Sequence, residues 1–166
     1  MRYDGRIAAS IPHLRPAEKG FDALLVPLDS SGGAMSGIII CEEKATSSPR
    51  AKIAQEVWPS IDNLESGERD AELTAELTAI LERYNVQNIE QIVADAHWLN
   101  RKAYRVSVTI TPADEPDAVR RKVFEGFNNR AQGDLWRRRA ETLTLTNLRA
   151  WMNDFSAKVI AAIQRN

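Results

Sequence analysis

The sequence predicts an α/β domain with a small sheet and several helices. Three observations predict this class: apolar runs with a period of two, longer runs with a helical period, and turn residues between them. In the clearest strand, "AYRVSVTIT", the side chains of Tyr104, Val106, Val108 and Ile110 share one face. The clearest helix, "DAELTAELTAILERY", carries an apolar stripe. A chain of 166 residues is long enough to bury one such core.

The other N-terminal elements follow in chain order. "RIAASI" fits a short strand or one helical turn, and "FDALLVPL" and "IIICEEKAT" are the predicted strands of an antiparallel hairpin. "SSPRAKIAQEVWPSI" predicts a helix with Ser48 as its cap, Pro49 in its first turn and Pro59 at its end. After the polar linker "NLESGERD" and the clearest helix, "NIEQIVADAHWL" repeats the helical pattern.

The C-terminal third is predicted to be mostly helical. "EPDAVRRKVFEGF" predicts a helix with Pro116 in its first turn, and "AETLTLT" predicts a short strand or an extended segment. The last helix, "NLRAWMNDFSAKVIAAIQ", has a broad apolar face. This face consists of Leu148, Trp151, Met152, Phe155, Val159, Ile160 and Ile163.

Composition narrows the functional classes. The formal net charge of −1 means that the whole chain favours no polyanionic partner, so a basic surface has to be local. The only cysteine, Cys41, excludes an internal disulfide, fits a reducing compartment and is expected to be buried in its strand. No apolar run approaches the roughly 20 residues of a membrane span, and the N-terminus lacks a secretory core. We therefore expect a cytoplasmic protein without a membrane partner.

A group of charges stands at the end of an apolar strand in "GIIICEEKAT". Because side chains alternate along a strand, Glu42 and Lys44 project from one face, and Cys41 and Glu43 from the other. Antiparallel pairing with the preceding strand would place Asp22 beside Glu42. Carboxylate oxygens bind Mg²⁺, which acidifies coordinated water and neutralises charge on phosphate. Two carboxylates and a lysine at one strand end therefore indicate a phosphodiesterase centre.

These residues resemble the motif of the PD-(D/E)XK nuclease superfamily, which has the restriction-endonuclease-like fold. The matching residues are Asp22 in "GFDALL" and Glu42, Glu43 and Lys44 in "IIICEEKAT". The resemblance covers roughly residues 18–110 and implies a small mixed central sheet flanked by helices. It leaves residues 111–166 as a helical and basic C-terminal extension of a single domain, 1–166.

The resemblance also implies roles for individual residues. Asp22 and Glu42 are expected to bind Mg²⁺, which Mn²⁺ can replace, with the backbone carbonyl of Glu43 as a further ligand. Lys44 is expected to assist the attacking water, and Gln55 and Glu18 are accessory candidates. The implied activity is DNA cleavage, in bacterial restriction or in antiviral defence against phage. Asp29 is a rival to Asp22 as the first carboxylate.

Two basic clusters predict contacts with a phosphate backbone. Arginine binds phosphate well, and the neighbouring Trp136 can stack on a base. Such contacts are sensitive to salt and insensitive to sequence. The clusters are Arg120, Arg121 and Lys122 in "AVRRK", and Arg137, Arg138 and Arg139 in "GDLWRRRAE".

Each of these assignments has a structural alternative. Glu42 and Lys44 can form an exposed ion pair, Asp22 can cap a turn, and Gln55 can simply face solvent. The arginines can be solvated and paired with nearby acidic residues. At the level of function, the alternative is a non-catalytic adaptor of the same fold. It would bind a helicase-like or other defence-system protein through its C-terminal helix and arginines, and a homo-oligomer is compatible with either function.

Overall fold

A five-stranded mixed sheet forms the centre of the molecule. The structure, a computed structural model, describes residues 6–11, 20–29, 34–98 and 101–165. The strands are Ile7–Ala9 (β1), Ala23–Pro27 (β2), Ile38–Lys44 (β3), Lys102–Ile110 (β4) and Arg138–Thr144 (β5). They lie in the order β1-β2-β3-β4-β5, with antiparallel pairing from β1 to β3 and parallel pairing from β3 to β5. The predicted antiparallel hairpin is therefore confirmed.

Seven α-helices are found in the described ranges. They are Pro49–Lys52 (α1), Trp58–Glu65 (α2), Asp70–Arg83 (α3), Ile89–Trp98 (α4), Asp117–Val123 (α5), Phe127–Arg130 (α6) and Leu148–Ile163 (α7). A π-helical stretch, Ile53–Val57, joins α1 to α2, and short 3₁₀ turns occupy Pro112–Asp114 and Leu135–Arg137. Among these helices, none combines the length and the apolar composition needed to cross a membrane.

The hydrophobic core lies against one face of the sheet, which we call the core face. Ile38 and Ile40 of β3, with Tyr104 and Val106 of β4, are buried there against helices α2, α3 and α4. Every strand residue in this core belongs to the core face, as the pairing register requires. The opposite face, called the outer face below, carries residues such as the buried Cys41 and the exposed Glu43.

The helix that follows β3 is longer than predicted. Pro59 was expected to end it, but α2 continues from Trp58 to Glu65 with Pro59 in its first turn. The reason is the π-helical stretch, in which the Trp58 amide donates to the Ile53 carbonyl five residues back. Pro59 therefore stands where a helical segment begins again, a position that tolerates a residue without an N–H. Ser48 is the N-cap residue, as predicted, but its side chain makes no cap hydrogen bond.

The C-terminal third contributes to the sheet itself. "AETLTLT", for which a strand or an extended segment was predicted, lies mostly in β5, which pairs with β4. The predicted helix 115–127 instead divides into α5 and α6 at Gly126, whose φ of 92° is left-handed and favours glycine. The basic residues of this region are therefore distributed over a helix and an edge strand.

Candidate functional site

The antiparallel hairpin brings Asp22 to the end of β3. Ala23 pairs with Cys41, so Asp22, one residue earlier, lies opposite Glu42. The backbone N–H of Glu43 donates to Asp22 Oδ2 at 2.6 Å. This bond fixes the carboxylate at the edge of the strand, where the sequence predicted that it would stand.

Lys44 joins the two carboxylates. Its Nζ lies 2.9 Å from Asp22 Oδ2 and 3.1 Å from Glu42 Oε2. Since both oxygens contact the same nitrogen, they are at most about 6 Å apart. One Mg²⁺ ion with oxygen ligands at about 2.1 Å would bind both directly if they moved to within about 4.2 Å of each other, or would bind one of them through a water. The expected convergence of Asp22, Glu42 and Lys44 is confirmed as geometry.

The surroundings of Lys44 keep its side chain charged. Burial lowers the pKa of this amine, but the hydrogen bond to Asp22 and the negative charges of Glu42 and Asp22 together outweigh burial. The pKa of Lys44 is therefore raised above its ordinary value, and the side chain is an ammonium ion at neutral pH. In this state Lys44 can donate hydrogen bonds and stabilise negative charge, but it cannot accept a proton.

Glu42 is the most buried member of the group, with 7% of the residue exposed. A buried carboxylate requires hydrogen-bond donors on its oxygens. Lys44 Nζ lies 3.1 Å from Oε2, and the Ser60 hydroxyl donates to Oε1 at 2.8 Å. Ser60 lies on α2, directly after Pro59, so the continuation of this helix past the proline supplies the donor.

Arg69 holds the Ser60 hydroxyl in position through a hydrogen bond. Its Nη1 donates to Ser60 Oγ at 2.8 Å, while Nε and Nη2 bind both oxygens of Glu72 at 2.7 and 2.6 Å. The guanidinium also lies 4.5 Å from the ring centre of Phe21, the neighbour of Asp22. Sequence reasoning missed Ser60 and Arg69, because both lie where a helix end and a polar linker were predicted.

The residues of the site fit a hard divalent cation. Asp22 and Glu42 provide oxygen ligands, and Asp22 Oδ1 accepts no hydrogen bond from the part of the chain that the structure describes. Mg²⁺ commonly takes one or two carboxylates and completes its shell with water and substrate phosphate. A cluster of three or more His, Cys, Asp or Glu side chains that could hold a metal is absent from the described residues. The pair therefore suits a cation that retains water rather than a closed structural metal site.

The other predicted ligands lie apart from this group. Glu43 is exposed on the outer face, so only its backbone is near Asp22. Gln55 is exposed in the π-helical stretch and makes no hydrogen bond to Asp22, Glu42 or Lys44 within the described residues. Asp29 is exposed in the loop after β2. Glu18 lies outside the residues that the structure describes.

The basic residues of β5 and the turn before it point in different directions. Arg137 is 5% exposed, pairs with Glu65 at 2.7 Å and donates to the Lys102 carbonyl. Arg138 is half-buried and donates to the backbone carbonyls of Ala131 and Gly133. Arg139 lies on the outer face and pairs with Glu141. The run of three arginines therefore does not form one continuous surface.

A second basic region borders the core face of β5. Arg120, Arg121, Asn128 and Arg138 line an open cleft of about 810 Å³, and Ala140 of β5 also contributes to its lining. In the sheet register Ala140 pairs with Val106, which pairs with Glu42. Because neighbouring strands are about 4.8 Å apart, this part of the cleft lies about 10 Å from the Glu42 backbone. Arg121 and Lys122 are exposed and form no ion pair with any described residue.

Comparison with known proteins adds no relative to this description. The chain matches no protein-family model, no curated protein and no solved structure. The geometry of Asp22, Glu42 and Lys44 is thus the principal observation on which a function can be argued.

Proposed function

We propose that the protein is a metal-dependent DNA nuclease with a restriction-endonuclease-like fold, as the resemblance of its sequence motif implies. One observation carries the proposal: Lys44 Nζ lies within 3.1 Å of an oxygen of both Asp22 and Glu42. Carboxylates from two strands and an ammonium ion thus meet at one strand end. This combination can hold a divalent cation and stabilise charge on a phosphate.

Each residue of the group has a distinct role in this proposal. Asp22 and Glu42 hold Mg²⁺, or Mn²⁺ in its place, with the Glu43 carbonyl as a further ligand. When bound, the ion activates water and neutralises the charge that develops on the phosphate. Lys44 orients the attacking water and donates to a phosphate oxygen. Ser60 and Arg69 hold the Glu42 carboxylate in position.

The basic cleft beside β5 is the proposed binding surface for the DNA next to the cleaved bond. Arg120 and Arg121 line this cleft on the sheet face that also carries Glu42, with Lys122 next in the chain. Arg120 and Arg121 bind the phosphate backbone on one side of the scissile bond, whereas Lys122 lines a separate cleft beside α1. Arg138 contributes to the wall of the cleft, whereas the buried Arg137 and the outer-face Arg139 are not part of this surface.

The resemblance further suggests the biological setting. Nucleases with this motif act in bacterial restriction and in defence against phage, and we propose the same role for this protein. In this setting a partner protein of the restriction or defence system would supply target recognition.

A cleavage assay tests the proposal. Purified protein is incubated with supercoiled plasmid, linear duplex and single-stranded DNA in Mg²⁺, in Mn²⁺ and in EDTA. We expect cleavage with either metal, none in EDTA, and a loss of about 100-fold or more in Asp22→Asn, which keeps the shape of the side chain but removes its charge. Full activity in Asp22→Asn would contradict the assignment of the site.

One observation favours a second function, that of a non-catalytic adaptor. The ammonium of Lys44 already satisfies both carboxylates, so the group is stable as a closed ion-pair cluster without a metal. An adaptor with this fold would bind a protein partner through its arginines and its C-terminal helix. The two functions differ in their response to Mn²⁺, which the adaptor does not need.

A further inference from the structure

Helix α7 carries an apolar face that the other described residues leave uncovered. None of its sixteen residues is buried, and it packs extensively against no other described element. Trp151 and Phe155 stack with ring centres 5.4 Å apart and planes 4° from parallel. The exposed fractions of its large apolar residues run from 40% to 69%. These residues are Trp151, Met152, Phe155, Val159, Ile160 and Ile163.

An uncovered helix of this kind needs a partner surface. A helix of about 15 residues is marginally stable in water when nothing packs against it. Six large side chains on one helix also expose several hundred square ångströms of apolar surface, which in a protein marks an interaction site. We therefore expect another surface to pack against the apolar face of α7.

The outer face of the sheet is a second, partly apolar surface, and it is open among the residues that the structure describes. Leu25, Ile39 and Ala103 line an open cleft of about 740 Å³ there, together with Trp136, whose ring approaches Gly37. Leu143 on the edge strand β5 is 49% exposed on the same face. The apolar part of this face therefore extends from β2 to β4, and the ion-paired Arg105, Glu141 and Arg139, which all line the cleft as well, separate it from Leu143.

We propose that α7 of one copy docks on the outer face of a second copy, and that the exchange is reciprocal about a two-fold axis. The dimensions agree, because a helix of sixteen residues is about 24 Å long. The apolar part of the outer face, from β2 to β4, is about 10 Å wide, which matches the diameter of one helix. Two-fold symmetry uses the contact twice, which brings the buried area towards the roughly 1,600 Å² of a standard stable interface.

The features of α7 favour a second copy over a lipid surface. Helices that lie in a membrane interface are rich in Lys and Arg on their polar side. On α7 the polar side carries Asn153, Asp154 and Lys158, with Asp154 and Lys158 paired at 2.7 Å. Arg149 is the other charged residue of this helix, so α7 carries two cations and one anion and is not rich in Lys and Arg. Formation of this dimer does not depend on DNA cleavage.

Size-exclusion chromatography with light scattering, over a wide range of concentrations of the 166-residue chain, measures the molar mass of the assembly. We expect a dimer for the wild type. Phe155→Asp places a charge in the apolar face and should raise the dimer dissociation constant at least about 30-fold. Ala157→Asp is the matched control, because it adds the same charge to the same helix two residues away, on a different side, and should leave the dimer intact.

Variants of the sheet then identify the docking surface. Ile39→Glu and Trp136→Ala alter the outer face, and each should weaken the dimer, with circular dichroism showing that the fold is kept. An equimolar mixture of Phe155→Asp and Ile39→Glu should regain dimer, because one intact helix then meets one intact sheet. A wild type that stays monomeric overturns the proposal. So does a dimer that Phe155→Asp weakens while Ile39→Glu and Trp136→Ala do not, since it would be formed by two α7 helices pairing with each other.

Discussion

Lys44 and Asp22 are separated by 22 positions in the sequence, yet Lys44 Nζ donates to Asp22 Oδ2 at 2.9 Å. The same amine lies 3.1 Å from Glu42 Oε2, so one ammonium group forms ion pairs with both carboxylates. Without a cation between them, these carboxylates would repel each other at the edge of the core. The site therefore requires a positive charge at this position, whether from the lysine or from a metal.

Removal of the amine should destabilise the fold. Lys44→Met keeps the length and apolar part of the side chain but leaves the exposed Asp22 and the buried Glu42 without their shared cation. We expect the free energy of unfolding to fall by about 1–3 kcal/mol, measured by urea denaturation in EDTA. Lys52→Met is the control, because among the described residues Lys52 forms an ion pair with Glu56 alone, one helical turn away, and its loss should cost less than about 0.5 kcal/mol. Equal losses in the two variants would contradict the account.

Divalent cations should stabilise the wild type. A ligand that binds only the folded state raises its stability by about 2.7 kcal/mol at a hundred times the dissociation constant. Titration of Mn²⁺ should therefore raise the melting temperature of the wild type. The rise should be larger in Lys44→Met, where no ammonium competes for the carboxylates, and absent in Asp22→Asn. If no variant responds to Mn²⁺, the adaptor is the better assignment.

Loss of the Ser60 hydroxyl should weaken the site from the helix side. Ser60→Ala leaves Glu42 Oε1 without its donor and Arg69 Nη1 without its acceptor. We expect a loss of about 1–2 kcal/mol in the free energy of unfolding, together with a weaker Mn²⁺ response. Ser47→Ala, at an exposed position outside the helices, is the matched control and should change neither quantity. A Ser60→Ala protein with unchanged stability and metal response would show that the hydroxyl does not position Glu42.

The Arg69–Glu72 pair predicts a dependence on acid. The hydrogen bond from Arg69 lowers the pKa of Glu72 from its ordinary value of 4.5, although burial opposes this shift. A carboxyl group whose pKa is lower in the folded state stabilises the fold above its unfolded pKa, and this contribution is lost as the pH falls through the folded pKa. Glu72→Gln should therefore be less stable than the wild type at neutral pH, and the difference should shrink below about pH 4.5. Unfolding free energies measured across this range check the prediction, and a constant difference would contradict it.

Much of the fold could be predicted from periodicity. Helix α3 and strand β4 were found because their apolar residues repeat regularly, and the hairpin because a short loop joins two apolar runs. Pairing of Ala23 with Cys41 then follows closely from the alternation of side chains, which is why Asp22 could be placed beside Glu42. These features depend on local patterns that a single sequence contains.

The parts that could not be predicted depend on contacts between distant segments. Pro59 is a strong local signal for a helix end, and the π-helical stretch that accommodates it has no comparable signal. The sequence therefore did not predict that Ser60 and Arg69 belong to the site, because their contacts form only when α2 packs against β3. The run Arg137 to Arg139 was also misleading as a unit, because alternation in β5 and the bond to Glu65 separate its side chains.

The most direct test of the central claim compares DNA cleavage in Glu42→Gln and Glu43→Gln. These substitutions make the same chemical change at adjacent positions of one strand, but only the Glu42 carboxylate reaches Lys44 and Ser60. We predict that Glu42→Gln reduces the rate in saturating Mg²⁺ by about 100-fold or more, and that Glu43→Gln retains it within a few-fold. Cleavage by Glu42→Gln at the wild-type rate would contradict the account.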